Sequence, residues 1–202
     1  MKLLVRDKLQ SLADENNGYL LTSDVVAAGI SRTYLAQFVK ENAMDRVAKG
    51  IYLSSTGWRD DYYILFHANQ KIIFSHESAL YLHDMTDREP PLVSVTVRAG
   101  YNATHLRRKG IKVYQVKPDM LDAGVSRVKT NMGNEVAAYD RERTICDIVR
   151  YHDDIDSQTF QTAMKEYMRR KDRNLNRLMK YAALFGIEKE MKNYVEVLAL
   201  AM

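Results

Sequence analysis

The chain has 202 residues, of which 46% are apolar and 28% charged. That length suits one substantial domain or two small ones, and the apolar content excludes a chain too polar to bury a core. A net charge of +4 with a pI near 9 leans mildly toward anionic partners and selects none of them.

The single cysteine, Cys146, excludes an internal disulfide and a multi-cysteine zinc site, and suits a reducing compartment, so the expectation is cytoplasm. The opening "MKLLVRDKLQSLADENN" mixes in charges too early for a signal peptide. Nowhere do about 18 apolar residues run uninterrupted, so no membrane span is expected.

Leu4, Val5, Leu9, Leu12 and Ala13 fall at helical spacing before the turn signal Asn16-Asn17-Gly18, which predicts a first helix. Thr22 or Ser23 can cap a short second helix through Ala28 by satisfying an orphan N–H of its first turn. Gly29 then supplies the turn, and Ser31 can cap a third helix to about Glu41. Two helices joined by a tight glycine turn make a helix-turn-helix unit. Its inward positions are all apolar: Val25 and Ala28 on one helix, Ile30 at the corner, Leu35 and Phe38 on the other. The outer face of the third helix reads Ser31, Arg32, Thr33, Ala36, Gln37 and Lys40, which are small or hydrogen-bonding groups suited to entering a groove. "DRVAKGIYL" follows as strand, turn at Ala48-Lys49-Gly50, strand, a hairpin that serves as a wing.

On this reading the third helix lies in the DNA major groove. Arg32 can donate twice to guanine O6 and N7, and Gln37 can pair with adenine N6 and N7. Ser31, Thr33 and Lys40 hold phosphates, with Arg46 and Lys49 on the wing. The alternative is a small protein-binding scaffold without DNA. Residues 1–60 hold eight Lys/Arg against seven Asp/Glu, so the positive charge must be clustered for DNA reading to hold.

Beyond Gly57, "DDYYILFHANQK" predicts a helix and "IIFSHESALYLHDM" a short strand entering another. Pro90-Pro91 breaks the chain, and "LVSVTVRAG" and "IKVYQVKP" alternate as strands around the basic loop "HLRRKG". "SRVKTNMGNEVAAYD" predicts a hairpin turning at Asn131 to Asn134, and about four helices run from Asp140 to the end. The expected class is α+β: a winged helix-turn-helix over residues 1–56, then a mixed α/β domain over 57–202 that ends in a helical bundle.

Ala28-Gly29 with Tyr34-Leu35, then Arg46 with Gly50-Ile51-Tyr52, "FSHESALYLHDM" and "YDRERTICDIV" occur in that order. Together they make the chain, from about Leu4 to Leu198, resemble the AbiEi family of antitoxins from type IV toxin-antitoxin and phage abortive-infection systems. The resemblance implies a bacterial repressor whose winged helix binds inverted repeats in its own promoter. It also implies a C-terminal domain that counteracts a nucleotidyltransferase-like toxin without a tight complex. Ser31, Arg32, Thr33 and Gln37 match the recognition face and Lys49 the wing tip. Arg141 to Asp147 match a signature whose expected role is structural. Arg143 and Asp147 can pair four apart on a helix, and Ile145, Ile148 and Val149 form its buried side.

No catalytic constellation emerges, and no cofactor or metal is expected. His76 and His83 flank Glu77's helix seven residues apart, but a third ligand at metal spacing is missing. Pro118-Asp119 and Glu135 form part of a restriction-type nuclease pattern, which needs a lysine where Ala137 stands. Asp154 and Asp156 lack the upstream Gly-Ser loop of a nucleotidyltransferase. Cys146 reads as a small buried thiol. Two basic clusters are left: Arg107, Arg108 and Lys109, and a run that includes Lys165, Arg169, Arg173 and Arg177. They are either solvated surface or a second anionic contact, to flanking DNA or to RNA. Two copies could meet on a palindromic operator.

Overall fold

The computed structural model describes residues 2–200. The chain is α+β and divides into two compact units. One runs to Gln70 and takes in Lys129–Val136; the other is Lys71–Val128 together with everything from Ala137 onward. The division therefore falls at 70/71, later than the expected 56/57, and it assigns a distant hairpin tip to the first unit.

In the first unit, α1 (Lys2–Glu15) buries Leu9 and Ala13 and half-buries Val5 and Leu12, while Leu4 stays exposed. It is followed by β1 (Tyr19–Leu21), α2 (Thr22–Ala27), α3 (Arg32–Glu41), β2 (Asp45–Ala48), β3 (Ile51–Leu53) and α4 (Asp61–Ala68). The three strands form an antiparallel sheet in the order β1-β3-β2. The strand β1 is absent from the sequence expectation, and it alters how α2 begins. Leu21, still extended, is the N-cap residue and no side chain caps the helix. Thr22 N–H instead donates to the Gly50 carbonyl at 2.9 Å, so the hairpin meets the demand that a hydroxyl cap was expected to meet. Leu9, Ala13, Leu20, Val25, Ile30, Leu35, Phe38 and Met44 make one core.

The second unit holds β4 (Ile73–Phe74), α5 (His76–Leu82), β5 (Ser94–Arg98), α6 (Thr104–Arg107), β6 (Lys112–Val116) and α7 (Pro118–Leu121). The strands β7 (Val125–Lys129) and β8 (Glu135–Tyr139) complete a five-stranded mixed sheet, β6-β5-β4-β8-β7, in which β4 pairs antiparallel with β5 and parallel with β8. The basic stretch expected as a loop contains α6, and α7 is likewise unforeseen; each has four residues, too few for an apolar period to appear. Four helices follow: α8 (Arg141–Arg150), α9 (Ser157–Arg169), α10 (Leu175–Leu184) and α11 (Glu188–Leu200). Ile145, Ile148, Val149, Met164, Tyr167, Leu178 and Met191 pack in their common core. Among the described residues, no helix is long and apolar enough to cross a membrane.

Candidate nucleic-acid interface

The geometry of α3 starts at its N-cap. Ser31 is extended, with φ −71° and ψ 150°, and its hydroxyl accepts from Tyr34 N–H at 3.4 Å. Two residues earlier, Gly29 adopts φ +76°, which reverses the chain between α2 and α3 at little steric cost only because it lacks Cβ. Lys8 of α1 donates Nζ to the Ala28 carbonyl at 2.9 Å, satisfying an orphan acceptor at the end of α2. Val25, Ile30, Leu35 and Phe38 are buried and Ala28 half-buried, so the two helices are held by the apolar positions that the spacing singled out.

Because those positions turn inward, Thr33, Ala36, Gln37 and Lys40 form an exposed row at i, i+3, i+4 and i+7, with Ser31 and Arg32 exposed at its start. Arg46 and Lys49 are exposed on the β2–β3 hairpin, whose turn is Lys49-Gly50. Ala48 lies in β2, and the register slips between Arg46 and Ala48. Glu41, outside the exposed row, accepts from Gln37 Nε2 at 2.7 Å. Its signal was the i,i+4 spacing of an amide and a carboxylate.

The second-unit cations are exposed but unequal. Arg107, Arg108 and Lys109 lie at the end of α6 and the turn after it. In the longer run, Arg169 pairs with Glu166 at 2.8 Å, and Arg177 lies 3.7 Å from both Asp140 and Glu142. Arg173 Nη1 donates to the Arg170 carbonyl at 2.8 Å, while Lys165 extends into solvent. The local carboxylates thus neutralise two of the four cations singled out there.

Within the Arg141 to Asp147 stretch, Glu142 to Asp147 are buried and Arg141 is half-buried. Arg143 is fully buried; its Nε donates to Asp147 at 3.0 Å and its Nη1 to the carbonyls of Met120 and Ala123 at 2.7 and 3.0 Å. Its guanidinium lies 4.2 and 4.1 Å from the ring centroids of Tyr139 and Phe185. Glu142 accepts from Tyr167 Oη and from Asn174 N–H, and Arg141 pairs with Asp172. Gly124 has φ +83°, and a Cβ there would lie 2.6 Å from Arg143 Cβ, so the packing admits no side chain.

His76 is buried, and burial pushes its imidazole well below the usual histidine range, with Lys112, Arg143 and Arg150 adding to the shift. It stacks on Tyr114 at 3.5 Å, and its Nδ1 meets Ser75 Oγ at 2.9 Å. His83 Nε2 is 2.7 Å from the Tyr139 carbonyl. Among the described residues no three His, Cys, Asp or Glu side chains gather where they could hold a metal ion. Burial also raises the Cys146 thiol far above its ordinary value, which leaves it an unreactive core group.

Residues 7–55, which build α3 and the hairpin, match the family described as transcriptional regulator, AbiEi antitoxin. This is the family that the sequence resembles. Across 87% of this chain and 69% of the other, the fold is similar to the crystal structure of the RV2827C protein from Mycobacterium tuberculosis, with a TM-score of 0.55 at 12% identity. No curated protein sequence is significantly similar to the chain.

Proposed function

We propose that the first unit is a winged helix-turn-helix that reads double-stranded DNA and represses its own promoter at inverted repeats. One observation carries this reading. The helix α3 is clamped by Leu35 and Phe38 on one side, and on the other it presents an exposed row of short and hydrogen-bonding groups beside a hairpin tipped with lysine. A helix so mounted fits the major groove, with Arg32 and Gln37 against base edges, and Ser31, Thr33, Lys40, Arg46 and Lys49 at phosphates. The order helix, strand, helix, helix, hairpin and the regulator family matched over residues 7–55 support the same role.

The second unit, on this proposal, counteracts a nucleotidyltransferase-like toxin, and the chain catalyses no reaction. Support for the toxin rests on the family resemblance. Gel retardation of DNA from upstream of the chain's own reading frame tests the reader: the expected result is a shifted band at low salt that unrelated competitor DNA does not remove. Equal competition by any duplex would reject sequence-specific repression. For the second unit, co-expression with the product of a neighbouring nucleotidyltransferase frame should restore growth, and continued toxicity would reject that role.

A further inference from the structure

Glu41 is the last residue of α3 and the helix's sole acidic one. A carboxylate is doubly out of place there. The helix C-terminus carries the negative end of the backbone dipole, and on a helix lying against DNA a carboxylate meets the repulsion of phosphates. Its contact gives a reason for its presence. It accepts at 2.7 Å from Nε2 of Gln37, one turn earlier, and Gln37 is the only side-chain amide on α3.

We infer that Glu41 is a positioning residue that fixes which way round the Gln37 amide faces DNA, and that it thereby selects adenine. The inference rests on the DNA-reading role proposed above. An unrestrained glutamine amide turns about its last torsion and offers either a donor or an acceptor. On this inference the N–H of Nε2 given to Glu41 is the one pointing away from Oε1, which leaves Oε1 and the second N–H side by side as an acceptor and donor pair. That pair complements adenine, which offers N6 as donor and N7 as acceptor. Cytosine satisfies Oε1 alone through N4, whereas guanine and thymine accept from the N–H alone and set an acceptor against Oε1. Adenine alone satisfies both groups and is therefore read first.

The test uses the full-length protein and the duplex that it enriches from a randomised library, with the base pair under Gln37 located by loss of discrimination in Gln37→Ala. Affinities are measured for all four bases at that pair. The wild type should favour adenine over guanine by about tenfold or more. Glu41→Ala should bind every duplex at least as tightly, since a negative charge is gone, while the adenine-to-guanine ratio falls to about twofold. Glu41→Gln, which keeps an acceptor oxygen, should retain the ranking. If Glu41→Ala keeps the wild-type ratio, the positioning role is overturned and DNA reading stands. If the wild type enriches no duplex, the DNA-reading role and this inference fall together.

Discussion

Arg143 has no exposed surface, and its charge is matched by Asp147 at 3.0 Å, two carbonyls and two aromatic faces. Removing one partner of a buried ion pair leaves the other desolvated and uncompensated, a cost of about 3–5 kcal/mol. Asp147→Ala should therefore lower stability in urea titration by about that amount, and a loss under about 1 kcal/mol would show that the pair is not what holds α8. His76 carries backbone strain, because it holds φ +49°, a left-handed conformation that costs a non-glycine residue about 1–2 kcal/mol. Its folded-state pKa is depressed below 6.5, so the unfolded chain takes up the proton first as pH falls. The stability gained from the neutral ring is complete above about pH 6.5 and declines on acidification below it. His83 shifts in the same direction through burial and adds to the slope. Thermal midpoints between about pH 7 and 5.5 should fall in the wild type and fall less in His76→Asn, which tolerates the left-handed backbone and does not titrate. Equal slopes would remove His76 as the source.

Asp60 ties the segment Lys129–Val136 to the rest of the first unit. One carboxylate oxygen accepts from Tyr63 N–H at 3.1 Å, capping α4, and the other from Thr130 Oγ1 at 2.6 Å and Asn134 Nδ2 at 2.8 Å. Asn17 Nδ2 adds a bond to Asn134 Oδ1 at 2.9 Å. Asp60→Ala would strand several buried donors, each costing about 1–3 kcal/mol. Amide exchange over residues 130–134 should accelerate sharply in that variant, and unchanged protection would show that the tip is held by something else. None of this was legible in the sequence, since the partners stand 70 and 74 residues apart and nothing local marks them. By contrast α3 was readable to the residue. A serine cap, apolar positions three apart and a preceding glycine are local signals, and the structure has Ser31, Leu35, Phe38 and Gly29 in those roles. The pairing of Arg143 with Asp147 was readable for the same reason, as an i,i+4 relation on one helix. The start of α2 was not, because its first N–H groups are served partly by the hairpin, and β1 is three residues buried throughout with no alternation to read. At the candidate interface the exposed row followed from helical periodicity, and the bond from Gln37 to Glu41 carried the i,i+4 signal of an amide and a carboxylate.

At the scale of the whole chain, a net charge of +4 is small for a DNA-binding protein. It is the arrangement that supports the proposed DNA binding: Arg32, Lys40, Arg46 and Lys49 are exposed on α3 and the hairpin that follows it. With so few cations near the duplex, the salt dependence of binding should be shallow, with a log–log slope of roughly −2 to −4. Base readout must then carry a large share of the affinity, so single variants should separate the two kinds of contact. The most direct test is fluorescence-anisotropy titration of wild type, Arg32→Ala and Lys49→Ala against the enriched duplex and a scrambled one of equal composition, over a range of salt. The account predicts that Arg32→Ala loses about 1–3 kcal/mol on the enriched duplex alone, whereas Lys49→Ala weakens both alike and reduces the salt slope by about one. Equal wild-type affinity for the two duplexes, or Arg32→Ala binding the enriched duplex as tightly as wild type, would contradict it.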